Sequence, residues 1–154
     1  MTEREIIEAS AGERIALIAE SYLRLTGRKL TPPASNMAGA MWEMPAVILA
    51  HGTEADPLFF YGNRAALDLF EMDARQFTGL PSRLSAEPLL REERSALLKR
   101  VTRRGFIDDY SGIRISSTGR RFRIEQATVW NLIDAEGNMH GQAATFSHWH
   151  DFGP

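Results

Sequence analysis

The residues with the most chemical reach in this 154-residue chain are four histidines and a few clustered acids and arginines. His148-Trp-His150-Asp151 has the spacing of a metal arm, because residues i and i+2 of a strand lie on one face. The nearest histidine of the same parity, His140, lies roughly 26 Å away along an extended strand. That is too far to share an ion, so the motif predicts a polar strand end and no metal site. Asp108-Asp109 resembles a carboxylate pair, but neighbouring strand residues point to opposite faces, which predicts solvated or arginine-paired side chains. Asp56, Asp108 and His51 are the residues an acid–base enzyme would use. None has a nucleophile or ligand set beside it in sequence, and the glycines lack phosphate-loop spacing. The chain is predicted not to be an enzyme. The basic run Arg103, Arg104, Arg114, Arg120, Arg121 and Arg123 is offset by acids and has no interleaved exposed aromatics. It predicts a solvated face and no nucleic-acid partner.

Composition narrows the field further. A net charge of −2 with a pI near 6.1 gives no general attraction to nucleic acid or anionic membrane. The absence of cysteine excludes disulfides, thiolate metal sites and cysteine catalysis, and fits a reducing cytoplasm. Met1 to Glu8 mixes charges of both signs with few apolar residues, unlike a signal peptide. The apolar stretch Ala46 to Ala50 is far too short to span a bilayer. One cytoplasmic domain without a membrane partner is expected.

The elements that must position any site follow from spacing. Thr2 and Glu5 have capping-box spacing at the head of a helix expected over residues 3–26. Ser10 and Glu13 repeat that spacing, so Gly12 is a point of breakage, and Gly27 is placed to stop the helix. Ile15, Ile18, Tyr22 and Leu25 form an apolar stripe along it. The stripe suits either packing on its own domain or a homodimer contact at a/d-like spacing. Pro32-Pro33 and small residues read as a linker. Met37, Met41 and Met44 are spaced for a turn or two of helix. The expected organisation is an N-terminal helix over 1–27, a linker over 28–45 and a core over 46–150.

Within that core, Ala46–His51 and Leu58–Gly62 predict a hairpin. Asn63 caps a short helix, and Asp73–Phe77 adds another turn that Gly79 ends. Pro81–Ser85 reads as a polar loop. Residues 87–104 read as a longer helix with Leu90, Leu97, Leu98 and Val101 inward and the Arg/Glu residues outward. Three strands follow, over 106–115, 121–133 and 139–149, with a bulge expected at Gly112. By alternation Phe122, Ile124, Thr128, Trp130 and Leu132 share one face of the middle strand. The fold class is α+β: a five-stranded antiparallel sheet with helices on one face plus an N-terminal helix. That layout is PAS-like. The alternative, an NTF2-like isomerase or hydrolase, places its long helices before the sheet, whereas two strands precede the long helix here.

The stretches Ser21–Gly27, His51–Pro57, Asn63–Leu67, Leu80–Glu87, Gly105–Ser116, Gly119–Ile124 and Ala127–Asn131 together resemble the MEKHLA domain. The resemblance runs over about residues 15 to 150. This PAS-related family occurs as short bacterial proteins and at the C-terminus of plant homeodomain–leucine zipper regulators. It implies a sensory or interaction role, with no catalytic residues to carry over. No DNA-binding segment is visible here, so the plant context does not transfer and the bacterial form is expected. A PAS-like cavity between helices and sheet is predicted to be lined by Phe59, Tyr61, Leu67, Phe70, Phe106, Trp130 and Phe146, with Asn63, Arg83 and Tyr110 as polar contacts. Aromatics with a few polar groups suit a small-molecule ligand, though the same aromatics equally suit a filled core and a ligand-free dimerisation module. The cofactor stays unknown. Photosensory flavin domains use a cysteine that this chain lacks, and haem domains use a histidine that its long helix lacks.

Overall fold

The computed structural model describes residues 1–87 and 91–152. Thr2 accepts from the Glu5 amide while Glu5 accepts from the Thr2 amide, closing the capping box that starts α1 (Glu3–Ala11). Gly12 then adopts a positive φ of 57° and splits the expected single helix, so α2 runs separately over Arg14–Thr26. Ser10 does not cap α2. Its hydroxyl donates to the Phe60 carbonyl and ties α1 to the sheet. Gly27, in the left-handed region, closes α2. The methionine-rich segment forms α3 (Met37–Glu43), capped by Asn36.

The sheet holds β1 (Val47–His51), β2 (Phe59–Gly62), β3 (Phe106–Ile115), β4 (Arg121–Ile133), β5 (Met139–Phe146) and β6 (His148–Asp151), all paired antiparallel. Its order is β2-β1-β5-β4-β3, with β6 also on β4. Six strands replace the expected five because the last one breaks at Ser147. β5 pairs with Thr128–Ile133, and β6 continues along the same edge of β4 opposite Phe122–Glu125. Between β2 and β3 lie α4 (Arg64–Phe70), α5 (Ala74–Phe77), a 3-10 turn (Ser82–Ser85) where a plain loop was expected, and α6 (Arg91–Arg104). The NTF2-like order is thus excluded: two strands enter the sheet before α6. Leu90 lies outside the described residues.

Both faces of the sheet are covered, α6 lying on one and the N-terminal α2 on the other. Val129 packs with Leu97 and Val101 of α6, whereas its neighbour Trp130 meets Tyr22 of α2 edge-on at 4.8 Å. Adjacent strand residues face opposite ways, so α6 and α2 lie on opposite sides. Ile7, Ile15, Ile18 and Tyr22 are buried, and Leu25 packs beside them. The apolar stripe is therefore covered by its own sheet. The homodimer expected through this helix loses the face on which it rested.

The register of β4 corrects a second expectation. Ile107 pairs with Val129 and Tyr110 with Ala127, so β3 carries one extra residue; Gly112 then pairs with Ile124, so β4 carries one in return. Gln126, at φ 51°, sits in the β4 bulge. One inserted residue exchanges the faces beyond it. Phe122 and Ile124 therefore share the α6 side with Ala127 and Val129, not with Thr128 and Trp130.

Candidate functional site

The bulged half of the sheet forms one wall of a cavity beneath α6. The cavity volume is about 50 Å³. Its wall includes Leu49 and His51 from β1, Phe59 from β2, Phe70 from α4, Arg94, Leu97 and Leu98 from α6, and Tyr110 and Arg114 from β3. Ile124, Ala127 and Val129 come from β4, and Gln142, Ala144 and Phe146 from β5. Two amides fix α6 above this wall. Asn131 donates to the Val101 and Thr102 carbonyls, and Gln142 donates to the Leu98 carbonyl, the Thr102 hydroxyl and the Asn131 side chain.

Of the residues predicted to line the cavity, Phe59, Phe70, Tyr110 and Phe146 do so. The rest are placed elsewhere. Trp130 is fully buried on the opposite face, its indole N–H donating to the Ile18 carbonyl at 3.2 Å. Phe106 pairs directly with Trp130 and shares that face. Tyr61 pairs with Ala50 in β1, and Glu8 and Arg4 of α1 act on its phenol electrostatically; burial pushes its pKa up. Leu67 lies on α4 beside Trp42, away from the cavity. Arg83 is half exposed and forms an ion pair with Asp56 at 3.1 Å. Asn63 is fully buried and wholly engaged in holding backbone. Its Oδ1 accepts from Ile48 and Ala66, and its Nδ2 donates to Met41 and Ala46.

The acid–base candidates are likewise separated. Asp56 pairs with Arg83 and Asp108 with Arg28, both at the surface. His140 meets Asp134 at 2.7 Å in the β4–β5 turn, while His148 and His150 are exposed on β6. His51 alone of these lines the cavity. It is 6% exposed, its Nδ1–H donates to the Gly52 carbonyl at 3.1 Å, and its Nε2 has no partner among the described residues. Burial, aided by the positive charge of Arg94, lowers its pKa to about 4.

Arg94, Arg114, Gln142 and Ser85 also line the cavity and were not read as site residues. The signals were present. Arg94 lies three and four residues before Leu97 and Leu98, on the inward face of α6 rather than outward with the other charges. Arg114 has the strand parity of Tyr110. Gly112 stands between them, where a Cβ would sit 2.0 Å from the Tyr110 hydroxyl, so only glycine lets that ring lie back along the strand.

Because His51 is held neutral, acid should weaken the fold through it. The unfolded chain takes up the proton near pH 6.5 and the folded chain only near 4. Stability is therefore full above the unfolded value and falls as pH drops from 6.5 towards 4. Wild type should lose roughly 2 kcal/mol between pH 7 and 5 in urea unfolding, before the lowered carboxylates Glu71, Glu125 and Asp134 titrate. His51→Gln should remove most of that slope, and an unchanged slope would show His51 to be protonated in the fold.

Residues 12–151 match the MEKHLA domain. The chain is 28% identical over 140 residues to the homeobox-leucine zipper protein ATHB-9 of Arabidopsis thaliana, covering 86% of this chain and 17% of that protein. It is 29% identical over 140 residues to the homeobox-leucine zipper protein HOX32 of Oryza sativa subsp. japonica, covering 86% and 16%. The chain thus spans about a sixth of the length of these relatives. They are plant proteins and lend no support to a bacterial source. Among solved structures, a PAS domain from Colwellia psychrerythraea superposes with a TM-score of 0.60 at 16% identity, covering 75% of this chain and 92% of that one. The light-state dimer of the fungal blue-light photoreceptor Vivid gives 0.62 at 13%, covering 87% and 93%. At these identities the likeness shows the PAS fold. No helix among the described residues is long and apolar enough to cross a membrane.

Proposed function

The chain belongs to the MEKHLA domain family, and from that premise we propose that it is a PAS-like sensory module that binds a small molecule between α6 and the sheet. The observation that carries this reading is the cavity itself: an apolar chamber into which a few polar groups converge, His51 among them with a ring nitrogen that has no partner among the described residues. A core packed only for stability closes such gaps and pairs its buried polar atoms. The ligand is small, since about 50 Å³ falls well below the roughly 300–1,000 Å³ of sites for drug-sized molecules. Occupancy would be transmitted through α6, which both forms the cavity roof and is fastened to the sheet by Asn131 and Gln142.

Native mass spectrometry of the protein as purified, with a thermal-shift screen of small metabolites, tests the reading. A bound mass, or a saturable rise in Tm, is expected for one chemical class, and Ala144→Leu in the cavity wall should abolish it. If no compound binds and Ala144→Leu instead stabilises the protein, the cavity is a packing defect and the ligand-free reading holds.

A further inference from the structure

We propose that this cavity takes a small anion, a carboxylate or an inorganic oxyanion, held between the guanidinium groups of Arg94 and Arg114. The inference deepens the ligand-binding reading above and rests on it.

Three surface arginines, Arg28, Arg64 and Arg83, are matched to acids, each meeting a carboxylate within 3.1 Å. The two that line the cavity are not. Arg114 is 8% exposed, and its one hydrogen bond to a described residue runs from Nη1 to the neighbouring Ile113 carbonyl at 2.9 Å. A guanidinium has five N–H donors, so most of its capacity is unused. Arg94, largely buried, makes no hydrogen bond or ion pair among the described residues. The undescribed residues 88–90 are Pro-Leu-Leu and carry no acidic side chain. The two guanidiniums also repel each other. Burial and then the charge of Arg114 bring the Arg94 pKa down to about 10.

Two like charges that meet no acid among the described residues and face one apolar chamber are costly to bury. An anion between them removes both the repulsion and the unused donors, and guanidinium forks match carboxylate and oxyanion geometry. The alternative counter-groups are already accounted for. Gln142 and the neutral His51 carry no negative charge, and Tyr110 offers Arg114 its ring at 5.4 Å. The cavity volume of about 50 Å³ compares with the roughly 10–15 Å³ that one water needs by the same measure. It suits formate or acetate, or the anionic end of a larger molecule reaching in.

Thermal unfolding and titration calorimetry with sodium formate, sodium acetate and sodium phosphate, against chloride at matched ionic strength, test the proposal; acetamide is the neutral counterpart of acetate. A saturable Tm rise is expected with acetate or phosphate and none with acetamide. The carboxylate and phosphate arms decide which anion type is favoured. Arg94→Met and Arg114→Met should each weaken binding at least tenfold, yet melt at or above wild type in chloride because the repulsion is gone. Arg94 is more exposed than Arg114, so its variant is expected to fold even if Arg114→Met does not. Equal effects of all anions and chloride, or undiminished binding in Arg94→Met, overturn the proposal. If acetamide binds as acetate does, the cavity reading stands and only the anion inference falls. If neither binds and Ala144→Leu stabilises the protein, both fall.

Discussion

Asn63→Ala is expected to lower the unfolding free energy by roughly 3–5 kcal/mol, a large share of the roughly 5–15 kcal/mol that holds a domain of this size. The side chain does three jobs at once from a site with no solvent exposure. Its Oδ1 caps α4 through the Ala66 amide at 3.1 Å and also accepts the Ile48 amide of β1 at 3.0 Å. Its Nδ2 donates to the Met41 carbonyl at 3.1 Å and the Ala46 carbonyl at 2.9 Å, closing the segment between α3 and β1. A lost cap alone costs about 0.5–2 kcal/mol. Each buried amide left without an acceptor adds about 1–3 kcal/mol. Asn63→Asp separates the roles, because it keeps both acceptors and removes both donors, setting a carboxylate against carbonyl oxygens. It should be nearly as damaging as alanine in urea unfolding at pH 7. An Asn63→Asp variant within about 0.5 kcal/mol of wild type would reduce Asn63 to a helix cap.

The same residue marks how far sequence reasoning reaches. Asn63 was legible as a cap because capping needs only a local oxygen and the next turn of amides. Its hold on Met41, Ala46 and Ile48 was not, because those partners depend on how β1 and α3 return to it. The order of elements along the chain and the helix stops at Gly12 and Gly27 were likewise local and legible. Face assignment failed in β4 because alternation assumes an uninterrupted strand, and the bulge at Gln126 has no distinctive residue type. That slip moved Trp130 from the cavity to the α2 side, and the extra residue in β3 did the same for Phe106. The N-terminal stripe was legible as apolar, but its partner was not, since nothing local says that a sheet's second face awaits cover. Arg94 was missed through composition: charge suggested solvent, while its spacing to Leu97 and Leu98 placed it inward.

Trp130→Ala should cost about 3–5 kcal/mol, the range for removing a large buried aromatic, and the loss should fall on α2 rather than on the cavity. Trp130 is fully buried, meets Tyr22 edge-on at 4.8 Å, and donates from Nε1 to the Ile18 carbonyl at 3.2 Å. It is thus a main anchor of α2 on the sheet. Ser21 and Arg24 add bonds to the Ile133 carbonyl further along the same helix. Removing the indole leaves a void under α2 that Tyr22 alone cannot fill. Hydrogen exchange locates the damage: amides of α1 and α2 should lose protection first, while those of α6 and the cavity strands stay near wild type at low denaturant. Trp130→Phe keeps most of the apolar contact and loses the N–H donor, so it should cost about 1–2 kcal/mol with the same pattern in milder form. Uniform loss of protection on both faces, or loss confined to α6, would mean that Trp130 faces the cavity after all and that the bulge does not invert β4.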